Sequence, residues 1–149
     1  MNLAANPAFV AYAACLIALC LNMLLLWGYS GSVRGKTRTT PNAEDARTVA
    51  KGAEVVDADP PEVARVLRAH KNAMANILPF SILGLVYVLA GGSATAAWWI
   101  FGVFTFARVA HTFAYLGAKQ PWRTSSFILG GVTTLVLMGF IVKVLVAAA

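Results

Sequence analysis

Apolar residues fill four stretches of the chain, at 8–29, 62–90, 94–116 and 123–146, and polar residues gather mostly between the first two. A helix needs roughly 20 mostly apolar residues to cross a bilayer, so the pattern predicts four spanning helices. The punctuation agrees. Trp27, Gly28 and Tyr29 close the first stretch, and Pro60 and Pro61 open the second. Gly91, Gly92 and Ser93 divide the second from the third, and Pro121 precedes the fourth. The second stretch is longer than the membrane requires: roughly thirty residues of helix run about 45 Å, against a hydrocarbon layer of about 30 Å. Its first turns carry Arg65, Arg68, His70, Lys71 and Asn72, so this end is expected to project from the bilayer or border a wet cavity. Pro79 is expected to bend the helix. In the polar connection, residues 31–61, Asn42 is expected to cap a short helix. The fold class expected is all-α: a four-transmembrane-helix bundle, one membrane domain over residues 1–149.

Composition supports a membrane protein, with 59% hydrophobic residues and a mean hydropathy of +0.70. The first apolar run is long enough to span and lacks a basic leader, so no cleaved signal peptide is expected. Cys15 and Cys20 lie inside that run and suit packing better than a disulfide or metal site. Charge supplies the orientation. Arg34, Lys36, Arg38, Arg47 and Lys51 lie between spans one and two, and Lys119 lies between spans three and four, with Arg123 just after it. The connection GGSAT at 91–95 has no charge. Positive charge favours the cytoplasm, which places both basic loops inside and both termini outside. Trp98 and Trp99 then mark the outer interface, Trp27 and Trp122 the inner one. A short, Ala-rich chain of this kind suggests a bacterial inner membrane with periplasmic termini.

The six acidic residues are Glu44, Asp45, Glu54, Asp57, Asp59 and Glu62. Beyond Glu62 come seven Lys or Arg and no Asp or Glu. An unpaired cation in a membrane costs several kcal/mol. Lys143 can snorkel and Lys119 lies in a loop, but Arg108 sits about 12 Å along its helix from the cytoplasmic end. Arg108, His111 and Tyr115 share one helix face, as do Arg68, Asn72 and Ala75, with Lys71 alongside. Arg34, Arg123 and Thr124 stand at the same level. Taken singly, such residues meet anionic lipid or, like Asn22 and Asn76, bond between helices. Together, without acids, they point to an external anion bearing carboxylates or a phosphate. Two histidines on different spans make a poor metal site. No glycine-rich phosphate loop and no serine nucleophile with base and acid stand out, and no nucleic acid is expected as a partner. The nucleophile of any reaction would come with the ligand, and a bound thiol qualifies, since a nearby cation favours its thiolate.

Two segments, RVLRAHKNAMANILPF (65–80) and RVAHTFAYLGAKQPWR (108–123), resemble the MAPEG family of membrane-associated proteins in eicosanoid and glutathione metabolism. The likeness is to the microsomal glutathione transferase and microsomal prostaglandin E synthase branch, and GSVRGKTRTTPNAEDA (31–46) adds a weaker match. The resemblance implies a homotrimer of four-helix subunits, with glutathione bound between subunits near the cytoplasmic face. By position, Arg68, Lys71, Asn72, His111 and Tyr115 would contact glutathione, and Arg34 would arrive from the adjacent subunit. Arg123 would hold the thiolate, Thr124 would occupy a position where some members have a catalytic serine, and Arg108 would be structural or line the trimer's central region. Two positions depart from the family pattern: Ala75 replaces a glutamate that grips the amino group of glutathione, and Phe127 replaces an aromatic hydroxyl. The function implied is a glutathione-dependent transferase or peroxidase acting on hydrophobic, lipid-phase electrophiles among membrane lipids. The two departures favour an alternative, a non-catalytic lipid- or partner-binding protein. A small transporter or channel subunit would use Arg108 on an ion path.

Overall fold

A computed structural model describes residues 3–148 of the chain. A short 3-10 turn over Leu3–Ala5 leads into α1, Pro7–Thr37. Asn6 caps this helix, its side chain accepting the amide of Ala8 at 2.9 Å, and Pro7 stands at the first helical position, where a missing N–H costs nothing. The helix runs past the predicted end at residue 29. Ser30 and Val33 are buried against the bundle, so packing carries the helix through Gly28, Gly31 and Gly35. It stops where Arg38 turns left-handed at φ 52°.

The polar connection holds β1 (Thr39–Thr40), α2 (Ala43–Arg47) and β2 (Glu54–Val55). The two strands, two residues each, pair in parallel, a detail that no alternation in so short a segment signals and that leaves the fold all-helical. Asn42 stands before α2 without capping it; its amide donates instead to the Asp45 carboxylate at 3.0 Å.

Helix α3 spans Pro61–Leu89, α4 Ala94–Leu116 and α5 Trp122–Ala148. Pro79, where a bend is expected, lies inside a continuous α3. Helix α1 packs on α3 and α4, and α5 packs on the same two helices, so α1 and α5 occupy opposite corners. Alternating direction brings the end of α1, the start of α3 and the end of α4 together, where Val33, Val66 and Leu116 share a cavity. An aromatic stack locks the middle. Phe80 lies flat on Phe104 with centroids 3.5 Å apart, and Phe101 meets Phe80 edge-on at 5.9 Å. Gly84 lets the helices close: a Cβ there would stand 3.1 Å from the Tyr12 ring and 3.2 Å from Phe101. Large apolar side chains such as Ile17, Leu25, Leu135 and Val142 face outward. Among the described residues, four helices are long and apolar enough to cross a bilayer, and the outward faces are apolar: this is an integral, multi-pass membrane protein.

Candidate functional site

On α3, Arg68, Lys71, Asn72 and Ala75 follow one another at helical spacing and share a face. With Tyr115 of α4 they line an open cleft of about 280 Å³. Arg68, Lys71 and Ala75 are exposed, while Asn72 and Tyr115 are half-buried. Tyr115 is held from two sides. The His111 ring meets it edge-on at 5.6 Å, and the Arg123 guanidinium lies 5.1 Å from its centroid.

Arg123 is aimed there by a contact between helices. The His111 Nδ1–H donates to the Arg123 carbonyl at 2.9 Å, tying the last turns of α4 to the first turn of α5. That bond assigns the proton to Nδ1 and leaves Nε2 as an acceptor, which is buried without a partner. Ser126 Oγ lies 3.4 Å from the same Nδ1 and donates to the Trp122 carbonyl at 2.7 Å. Sequence reasoning passed over Ser126; its place one turn after Arg123 was the available signal. The Phe127 ring stands 6.0 Å from His111, keeping the aromatic contact without a hydroxyl.

Arg108 is 1% exposed, and its Nη2 donates to the Asn72 amide oxygen at 2.6 Å. Its answer to burial is therefore a neutral amide. The other two guanidinium nitrogens, Nε and Nη1, are buried without partners. Helix α5 reaches this point through Gly130, whose Cβ would touch Arg108 Cδ at 3.4 Å. The Asn72 oxygen expected to face a ligand is thus engaged by Arg108.

Of the residues singled out in the sequence, Arg68, Lys71, Asn72 and Tyr115 meet around one cleft, and His111 and Arg123 form the wall behind it. Arg34 stands apart within the chain. It borders a separate cavity of about 430 Å³ formed by the end of α1 and the polar connection, and it pairs with Asp59 at 2.7 Å. Thr124 is exposed, its hydroxyl donating to Gln120 Oε1 at 3.1 Å. Along the α1 side of α3 runs an apolar groove of about 610 Å³ lined by Leu16, Met23, Trp27, Met74 and Leu78, among others.

The arrangement suits an anion. Arg68 and Lys71 line the cleft, Arg123 lies against its tyrosine, and helices α4 and α5 contribute no carboxylate. The profile of the MAPEG family matches residues 12–143. Prostaglandin E synthase of Homo sapiens is 38% identical over 125 residues, covering 83% of this chain and 81% of that protein. The Rattus norvegicus prostaglandin E synthase is 37% identical over 120 residues, covering 80% and 77%. Microsomal glutathione S-transferase 1 of Homo sapiens is 36% identical over 132 residues, covering 86% and 85%.

Proposed function

The chain belongs to the MAPEG family, and from that premise we propose that it is a glutathione-dependent membrane enzyme, a transferase or peroxidase acting on hydrophobic electrophiles or lipid hydroperoxides. The observation that carries the reading is the meeting of Arg68, Lys71, Asn72 and Tyr115 around one cleft with Arg123 over the tyrosine ring. The similarity to a protein named microsomal glutathione S-transferase 1 supports the choice of thiol.

The residues fit such a ligand: exposed cations answer its carboxylates, and no acid on α4 or α5 competes for them. When bound, glutathione supplies a thiol nucleophile. Arg68 and Lys71 bind and orient its carboxylates. Asn72, His111 and Tyr115 shape the wall. Arg123 holds the sulfur as thiolate by placing positive charge beside it. Thr124, whose hydroxyl donates to Gln120 here, would be a second donor to that sulfur. In a homotrimer, Arg34 of a neighbouring subunit completes the anion site. Hydrophobic substrate reaches the sulfur from the bilayer, for which the apolar groove beside α3 is a suitable approach. The chain contributes positioning and electrostatic stabilisation. Both basic loops lie in the cytoplasm, which in a bacterial inner membrane leaves the termini periplasmic.

Purified protein should conjugate glutathione to a chromogenic electrophile, and Arg123→Ala should lower the rate about 100-fold, the scale of losing one charge-stabilising donor. Turnover no higher than in the Arg123→Ala protein would overturn the reading. One observation favours non-catalytic binding instead: Phe127 has no hydroxyl and that of Thr124 points to Gln120. Calorimetry separates the two, because the non-catalytic reading expects no heat of glutathione binding.

A further inference from the structure

Where α1 ends and α3 begins, a cavity of about 320 Å³ carries three charges that do not answer one another. Lys36 of α1 and Glu62 and Arg65 of α3 all border it. Yet among the described residues the only ion pair is that of Arg34 with Asp59. Opposite charges around one cavity attract, so their standing apart leaves room for a guest that carries both signs. Helix geometry sets the layout. Glu62 and Arg65 are three residues apart on one face of α3, which puts their Cβ atoms about 5–6 Å apart. Tyr29, Val33 and Lys36 follow at helical spacing on α1. The floor is apolar, made by the buried Val33 and Val66 with Leu116 of α4. The depth is that of lipid headgroups. Trp27 and Tyr29 are exposed aromatics of the kind that settle at the edge of the hydrocarbon. Lys36 stands about 10 Å further along α1 than Tyr29, and its long side chain reaches back toward a headgroup layer about 5–7 Å deep.

We propose that this cavity binds the headgroup of an aminophospholipid, with the phosphate between Lys36 and Arg65 and the primary ammonium on the Glu62 carboxylate. Charge complementarity selects this occupant. A lipid with a phosphate and no ammonium would satisfy the two cations and leave Glu62 unanswered. A choline headgroup has no N–H to donate to the carboxylate. In an ethanolamine headgroup two carbons separate phosphate from ammonium, a spacing that suits Arg65 and Glu62 on adjacent turns of one helix. None of these residues lines the cleft of Arg68, Lys71 and Tyr115, so the proposal is independent of the thiol-binding reading.

The test titrates the purified full-length protein, in an uncharged detergent, with dioctanoyl phosphatidylethanolamine, phosphatidylglycerol and phosphatidylcholine. The rise of the unfolding midpoint with lipid concentration gives an apparent Kd for each. The ethanolamine lipid should bind at least about tenfold more tightly than the other two, the scale of one charged hydrogen bond. Lys36→Met should weaken its binding about tenfold by the same measure. Glu62→Gln should abolish its advantage over the choline lipid. Both positions are exposed, so both variants should fold. Equal or tighter binding of the glycerol lipid overturns the proposal, because the cations alone would then account for binding. An advantage that survives Glu62→Gln, or no stabilisation by any of the three lipids, also overturns it. Soluble glycerophosphoethanolamine carries the same headgroup without acyl chains; if it binds as tightly as the lipid, the cavity takes a free metabolite and the lipid assignment falls.

Discussion

Removing the amide of Asn72 should destabilise the protein only while Arg108 is present. Arg108 is 1% exposed, and among the described residues its sole hydrogen bond is the 2.6 Å donation to Asn72. A hydrogen bond to a charged group contributes about 1.5–3 kcal/mol, and leaving the charge buried without it incurs that group's desolvation cost. Asn72→Ala should therefore cost about 2–3 kcal/mol. At roughly 2–4 °C per kcal/mol for a chain of this size, the unfolding midpoint should fall by about 4–12 °C. Arg108→Met keeps much of the apolar stem and removes the charge, and replacing a buried charge by a well-packed apolar group is often close to neutral. In the Arg108→Met background, Asn72→Ala should then cost well under about 1 kcal/mol, which makes the two substitutions coupled by about 1.5–2.5 kcal/mol. Thermal unfolding of the four proteins in one detergent, followed by tryptophan fluorescence, measures this. Additive effects of the two substitutions would refute the reasoning, since they would mean that something other than Asn72 satisfies the guanidinium.

Gly92→Ala should destabilise by about 1–3 kcal/mol, because its Cβ would run into the fully buried Tyr87 ring. Gly28→Ala, with nothing within 4 Å of the new methyl and a helical backbone, should be neutral or stabilise by about 0.5–1 kcal/mol; the same melting assay compares the two. Asp59→Asn breaks the pair with Arg34, whose partners are 22% and 26% exposed, so it should cost no more than about 1 kcal/mol and lose its effect in high salt, read as the melting difference at low and high ionic strength.

The existence of four spans and the gathering of cations at one end were legible because both are properties of single segments. A run such as 123–146 must bury or immerse its apolar surface wherever its neighbours stand, and its backbone must satisfy its own hydrogen bonds in lipid. Helical spacing likewise placed Arg68, Lys71 and Asn72 on one face before any packing was known. What the sequence could not contain was how each helix is rotated against the next. That rotation gives Asn72 to Arg108 across 36 residues of chain, ties His111 to the Arg123 carbonyl, and turns the wall of the cleft toward Tyr115. It also carries α1 through Thr37 on the burial of Ser30 and Val33, and leaves Arg34 with Asp59 in a cavity of its own. Hydropathy and charge act locally, so the residues declare them one segment at a time. The partner of a buried polar group is decided by shape fitting between helices, which only the assembled bundle specifies.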